Sequence, residues 1–367
     1  MKKTLKILLL WLSMLVVFAG LSEARADSSN NLLKERKIAY KNSKKFIDNK
    51  MMGTFGVYTN YLNKETLQKK SASGHQYLSE SAGLYLLNLA YSSNKKNFIK
   101  FYKLTKKNFY HDGVFIYRMD TNKRQKYQIN ATIDDLRIIK SLLIYDKIHK
   151  TSHYKDEAKN LFKNLKSKVR SGSYLVDYYS ITNDKISKNV TLSYQDVQLL
   201  RKFDIRLYKR SLKLVKRGFI SKKVPLYQQS YSLATKKFNT KEIVTAQCLL
   251  TMEHLAEVKK LPVSSQKWLL QKVESNQLYN AYNCEGAAID KNKAASNYAL
   301  AAIIGKILVN EKLYKASIKV LLTFQVNEPT SKIFGSFGDV QTNQVYSFNE
   351  LLALIALSNI RNRDFNY

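Results

Sequence analysis

His75-Gln76-Tyr77-Leu78-Ser79-Glu80-Ser81-Ala82-Gly83-Leu84-Tyr85-Leu86-Leu87 sets one carboxylate, Glu80, at the head of an apolar helical run. Ser81, Ala82 and Gly83 are small enough to let a bulky group approach it, and the neighbouring tyrosines offer faces that suit a sugar ring. A second acidic turn, Asn130-Ala131-Thr132-Ile133-Asp134-Asp135-Leu136-Arg137-Ile138, leads into a second apolar helix. Two acids at the starts of two helices are the residue types from which glycoside hydrolysis is built.

Outward from these turns the chain reads as helix after helix. Apolar residues recur at spacings of three and four over 32–51, 79–90, 96–110, 133–149, 154–169, 196–215, 241–258, 264–273, 294–309, 313–324 and 348–362. These spans predict eleven helices, with room for one more around 219–235. Thr240 or Asn239, and Ser347, read as N-caps. Short β-like pieces, Gly56 to Tyr61 and Val114 to Arg118, sit in the connections. Helical hairpins repeating every 55 to 60 residues predict a closed all-α toroid whose loop end forms the cleft.

The first 26 residues read as an export signal. Lys2, Lys3 and Lys6 precede an apolar run from Ile7 to Leu21, and Ala24-Arg25-Ala26 supplies a small-x-small cleavage site. The run is short for a spanning helix of about 20 residues. Secretion or cell-surface association after cleavage near Ala26 is therefore expected, with an uncleaved N-terminal anchor as the alternative. No cysteine follows the run to carry a lipid. Residues 27–367 contain only three prolines and no Pro/Gly/Ser-rich linker, which predicts one large domain, taken to be a monomer. Cys248 and Cys284 read either as two free thiols or as one disulfide.

The net charge is +34, or +31 once the first 26 residues are removed. A field of that sign holds an exported protein near anionic wall polymers or acidic polysaccharide. The lysines run through nearly every segment and are not gathered into one basic helix. No zinc-finger or RNP motif is present, so specific nucleic-acid binding is not expected. No histidine pair or acid cluster has metal-ligand spacing; neither metal nor cofactor is implied.

Several segments taken together resemble glycoside hydrolase family 8, the six-hairpin glycosidases. Leu78 to Tyr85 is similar to that family's "SEG…Y" segment, which carries its proton donor. Ala131 to Ile138 is similar to its "A-T/S-D-A/G-D-L-x-I" segment, and Ser193 to Phe203 to the "P-S-Y-x-x-x-Q-L-L-x-R-F" stretch of the cellulose-operon endoglucanases. Ala295 to Ala302, Phe334 to Asp339 and Tyr346 to Leu354 look like its later hairpins. The resemblance runs in order from about residue 50 to 360 and is closest to the Gram-positive exopolysaccharide-operon branch. It implies an (α/α)6 barrel and a secreted, endo-acting, inverting hydrolase of a β-linked extracellular polysaccharide. The alternative is a weakened relative that only binds glycan during export or assembly.

The same resemblance assigns roles. Glu80 matches the general acid. Asp135 matches the second aspartate of the family pair, which binds and distorts the sugar at the cleavage point; the first is Ile133 here, and Asp134 is expected to reach the same sugar. The general base is expected within 239–247, where Glu242 is the only carboxylate; in a shifted register Gln247 stands there and the base is lost. Arg137 is expected to pair with an acid or with an anionic substituent. Tyr194, Tyr85, Tyr61 and Tyr282 are expected to contact sugar, with Tyr77 and Tyr298 nearby in matched segments.

Overall fold

A computed structural model describes residues 30–63, 73–92, 94–238, 240–365 and 367. The export signal over 1–26 and the candidate cap Asn239 lie outside the described residues. Among the described residues twelve α-helices follow one another: α1 (30–46), α2 (Ser79–Tyr91), α3 (Lys95–Phe109), α4 (Thr132–His149), α5 (Lys155–Val169), α6 (Val197–Phe203), α7 (Ile205–Arg217), α8 (Thr245–Glu257), α9 (Val263–Glu274), α10 (Ala295–Ile307), α11 (Glu311–Leu322) and α12 (Ser347–Leu357).

The even-numbered helices form an inner ring. α2 packs between α4 and α12, α10 between α8 and α12, and α6 with the 3₁₀ turn Leu192–Tyr194 closes the circle between α4 and α8. Their composition dictates that position, because a helix apolar on every side is stable only where every side is covered. In α10 every residue from Ala295 to Gly305 is buried. The outer helices instead carry one apolar stripe, such as Phe98, Phe101, Tyr102, Thr105 and Phe109 of α3, and lysines on the rest. Gly305 allows the tightest hairpin: a Cβ there would lie 2.8 Å from the Tyr314 backbone nitrogen of α11.

The expected eleven helices become twelve at Asp204. The span read as one helix over 196–215 breaks there, because Asp204 is extended and its carboxylate caps α7 by accepting from Arg206 and Leu207 N–H. Residues 219–235, left open as a further helix, instead hold the strand Ser230–Ser232. Inner helices begin 48 to 65 residues apart, a looser repeat than 55 to 60.

Apart from α6, the inner helices start at one end of the ring, the mouth. Leu78, Ala131, Val244, Ala294 and Tyr346, which precede five of them, are extended and provide no side-chain cap. Small first residues stitch this end together. Thr132 Oγ1 donates to the Val176 carbonyl and Thr245 Oγ1 to that of Tyr279, while Ser81 Oγ meets Ser347 Oγ at 2.8 Å. Short antiparallel strands roof the mouth: Tyr77–Leu78 pairs Val114–Asp120, which pairs Gln125–Asn130. On the far side Ile243–Val244 pairs Ala281–Tyr282. That pairing keeps the chain extended through Val244, so α8 starts at Thr245 and not at Lys241. Thr240 caps nothing; its hydroxyl accepts from Gln229 N–H.

Candidate active site

Glu80 stands in the first turn of α2 at the mouth, half-buried. Burial first, and then the charge of Asp134, push its carboxyl up to about 7, against the opposing pull of Arg137. Asp134, in the first turn of α4, is held on both oxygens: Ser79 Oγ donates to Oδ2 at 2.7 Å and Arg137 Nη1 to Oδ1 at 3.0 Å. Burial raises its pKa as well, with Arg137 opposing. Arg137 reaches this position because Gly83 faces its stem; a Cβ at Gly83 would lie 3.2 Å from Arg137 Cδ. Glu80, Asp134 and Arg137 thus form one electrostatic unit across α2 and α4.

Tyr194 joins them from the 3₁₀ turn Leu192–Tyr194. Burial raises its phenol pKa, and so do the charges of Asp134, Asp177 and Glu80, which all converge on it. Asp177 was not singled out in the sequence, because Val176-Asp177-Tyr178 lies in a loop with no helical or motif signature. Its carboxylate is clamped by Thr191, whose N–H donates to Oδ1 at 2.6 Å and whose hydroxyl donates to Oδ2 at 2.9 Å. Its carbonyl accepts from the N–H of Thr132 at the head of α4. Burial pushes the Asp177 carboxyl up to about 6, against the two bonds from Thr191.

Other expected residues stand elsewhere. Asp135 is buried, accepting from Phe115 N–H and Asn130 Nδ2, both at 2.8 Å. It ties α4 to the roofing strands, and Asp134 is the aspartate whose charge reaches Glu80. Glu242 is exposed and lies before α8 in the loop, so the expectation of a helix-borne acid there is corrected. The first turn of α8 instead carries Gln247, which accepts from Gln229 Nε2 at 3.0 Å. Tyr85 is turned outward between α1 and α3, edge-on to Phe101 and donating to Asp48. Tyr282 is fully buried, with its hydroxyl on the Gln277 carbonyl, and Tyr298 is likewise core. Tyr77 is buried beside Phe55. Tyr61 stays near the mouth, half-buried against Phe46 and bonded through its N–H to the Val345 carbonyl. Tyr346, ahead of α12 and 39% exposed, is a mouth aromatic that the sequence did not single out. It lines a groove of about 740 Å³ with Asn280, Phe337, Val340 and Asn349.

Asp196 caps α6 and belongs to a deeper cluster inside the ring. Lys140 Nζ lies 3.3 Å from Asp196 and 2.6 Å from Glu257, and His254 bonds the Ser193 carbonyl. Asp196, His254 and Glu257 are close enough together for a cation, and the Lys140 ammonium takes that part. A cavity of about 40 Å³ separates this cluster from Arg137. Cys248 and Cys284 are free thiols; burial pushes that of Cys248 up to about 12.

No protein-family model matches the chain. A Bacillus subtilis (strain 168) protein named "Putative lipoprotein YdaJ" is 27% identical over 319 residues, covering 82% of this chain and 84% of that protein. The solved structure of a novel alpha-amylase from Clostridium perfringens is 29% identical, with a TM-score of 0.80 over 87% of this chain and 96% of its own. PssZ from Listeria monocytogenes is 17% identical, with a TM-score of 0.67 over 86% of this chain and 93% of its own. Endoglucanase Cel10 from Klebsiella pneumoniae, a family 8 glycosyl hydrolase, is 15% identical, with a TM-score of 0.56 over 77% of this chain and 97% of its own. The fold is that of the family 8 glycoside hydrolases, an (α/α)6 barrel with short strands at its mouth. Among the described residues no helix is long and apolar enough to cross a membrane.

Proposed function

We propose that the protein is an endo-acting glycoside hydrolase that uses Glu80 as its proton donor on an extracellular polysaccharide. One observation carries this reading: a carboxyl held near pKa 7 at the open end of the barrel, beside a fixed aspartate–arginine pair. A general acid must be protonated at working pH yet able to give its proton away, and a value near neutrality meets both needs. Asp134 keeps the Glu80 proton in place, and Arg137 fixes Asp134. The open groove past Tyr346 supports binding along a chain instead of at its end. Asp134 and Tyr194 are then the nearest groups for the sugar at the cleavage point.

Inversion requires a second carboxylate to activate water. We assign that role to Asp177, whose charge reaches Tyr194 as those of Asp134 and Glu80 do, in place of Glu242. At about 6 its carboxyl is largely ionised at neutral pH, as a base must be. The substrate expected from the sequence is a β-linked polymer, processed outside the cell by a protein that works as one domain and a monomer. Likeness to YdaJ supports work at the cell surface. A second reading, an α-linked glucan, is favoured by the likeness to the Clostridium perfringens alpha-amylase. New reducing ends measured on mixed-linkage β-glucan, carboxymethylcellulose, chitosan and soluble starch separate the two linkages. Asp177→Asn lowers the rate on the active polymer by roughly 100-fold or more. Full activity in that variant would remove Asp177 from the mechanism, and binding without turnover on all four polymers would favour the glycan-binding alternative.

A further inference from the structure

Two of the segments that resemble family 8, Phe334 to Asp339 and Tyr346 to Leu354, take no part in the proton-transfer unit. The fold brings them together through one buried carboxylate. Glu350 stands in the first turn of α12 and is 0% exposed. Its Oε1 accepts from Ser43 Oγ of α1 and its Oε2 from the Phe337 N–H, both at 2.7 Å. Both donors are neutral, and among the described residues no cation pairs with Glu350. Burial pushes its carboxyl up to about 7, against the pull of these two bonds. A buried acid without a cation is costly, so its use lies in what the two oxygens hold.

They hold a wall of the mouth groove. Phe337, Asp339 and Val340 line that groove together with Tyr346 and Asn349. Upstream, the same loop is tied down without Glu350. Gln325 Nε2 donates to the carbonyls of Ala39 and Gly335, at 2.9 and 2.8 Å, and the Gly335 N–H donates to the Val326 carbonyl. Gly335, at φ +85°, runs so close to α1 that a Cβ there would lie 3.0 Å from the Asn42 carbonyl oxygen. Downstream, the Asp339 N–H donates to the Gln344 carbonyl. Between these ties Phe337 hangs on Glu350, which fixes the wall to α1 and α12 at once.

We propose that Glu350 is a positioning residue for polymer binding: it sets the groove wall over 337–340 and so governs how firmly a polysaccharide chain is held. The proposal rests on the reading of that groove as the path of the polymer. Glu350 touches no sugar itself, being wholly buried. A groove contact that is equal in ground state and transition state lowers KM and leaves kcat unchanged. A glutamine at this position keeps both ties. Its carbonyl oxygen accepts from Phe337, and its amide donates to the Ser43 hydroxyl, which can accept as well as donate. Alanine keeps neither.

The test measures kcat and KM of the full chain by reducing-end release on whichever of mixed-linkage β-glucan, carboxymethylcellulose, chitosan and soluble starch it cleaves. Hydrogen exchange of the backbone over 333–340 is followed beside it, without polymer. Glu350→Ala is expected to speed that exchange and to raise KM roughly five- to ten-fold, with kcat within about two-fold of the parent. Glu350→Gln is expected to keep the parental KM. Asp146→Ala is the structural control, because it removes a buried carboxylate that accepts from Thr151 Oγ1 and Tyr154 N–H near the far end of α4. It is expected to lose stability and keep the parental KM. Circular dichroism checks that the variants fold; should Glu350→Ala not fold, Ser43→Ala carries the test, with an expected KM rise of roughly two-fold or more. A parental KM in the variant that carries the test would overturn the proposal. So would an equal rise in Asp146→Ala, a Glu350→Gln as impaired as Glu350→Ala, or a loss confined to kcat. Failure of the parent to cleave any of the four polymers would overturn the glycosidase reading together with this one, whereas cleavage with a parental KM in Glu350→Ala overturns this one alone.

Discussion

At the scale of single residues the site turns on which carboxylate keeps a proton. Glu80 is pushed up by burial and by Asp134, and Asp134 is itself fixed by Ser79 and Arg137. Removing the Asp134 charge lowers the Glu80 pKa, so the acid loses its proton at lower pH. Asp134→Asn is therefore expected to move the alkaline limb of the activity–pH profile downward from about 7, and a limb that stays put would disconnect the two residues. Glu80 was legible in the sequence because its whole neighbourhood, Ser79 to Tyr85, is contiguous. Asp177 was not, because its importance comes from Tyr194 and Thr132, which approach it from other segments. Tyr282 and Tyr85 misled for the same reason: residue type is visible in a sequence, but which way a helical side chain faces depends on its neighbours.

At the scale of elements, adjacent aspartates at the start of α4 do different work. Asp134 points into the mouth unit, and Asp135 holds Phe115 N–H and Asn130 of the roofing strands. Asn130 Oδ1 in turn accepts from Tyr179 N–H, so one carboxylate organises two loops. Asp135→Ala leaves two buried donors unpaired at about 1–3 kcal/mol each, giving an expected loss of about 2–6 kcal/mol in urea unfolding. A loss below ~1 kcal/mol would mean that water or another group replaces it. Helix existence was legible almost throughout, since inner and outer helices differ in composition. Their ends were not. The break at Asp204 and the late start of α8 come from a local cap and from strand pairing with Ala281–Tyr282, neither of which disturbs the apolar period.

At the scale of the whole molecule the ring encloses ions as well as apolar side chains. Burial disfavours the Lys140 charge, but Asp196 and Glu257 outweigh it and hold its pKa well above the usual lysine value. Breaking such a buried group by removing one partner costs about 3–5 kcal/mol. Lys140→Met is thus expected to lower stability by about that amount, read by chemical denaturation, and an unchanged midpoint would show that the cluster neutralises itself. This cluster is reached from α4, α6 and α8 at once, so no local stretch of sequence announces it.

The central claim is that Glu80 donates the proton that breaks a glycosidic bond. Its most direct measurement is the release of reducing ends from the polymer the protein cleaves, comparing the parent with Glu80→Gln and Glu242→Gln at equal folded concentration. The account predicts that Glu80→Gln loses roughly 100-fold or more of the rate, while Glu242→Gln keeps the parental rate. Parental turnover in Glu80→Gln would contradict it.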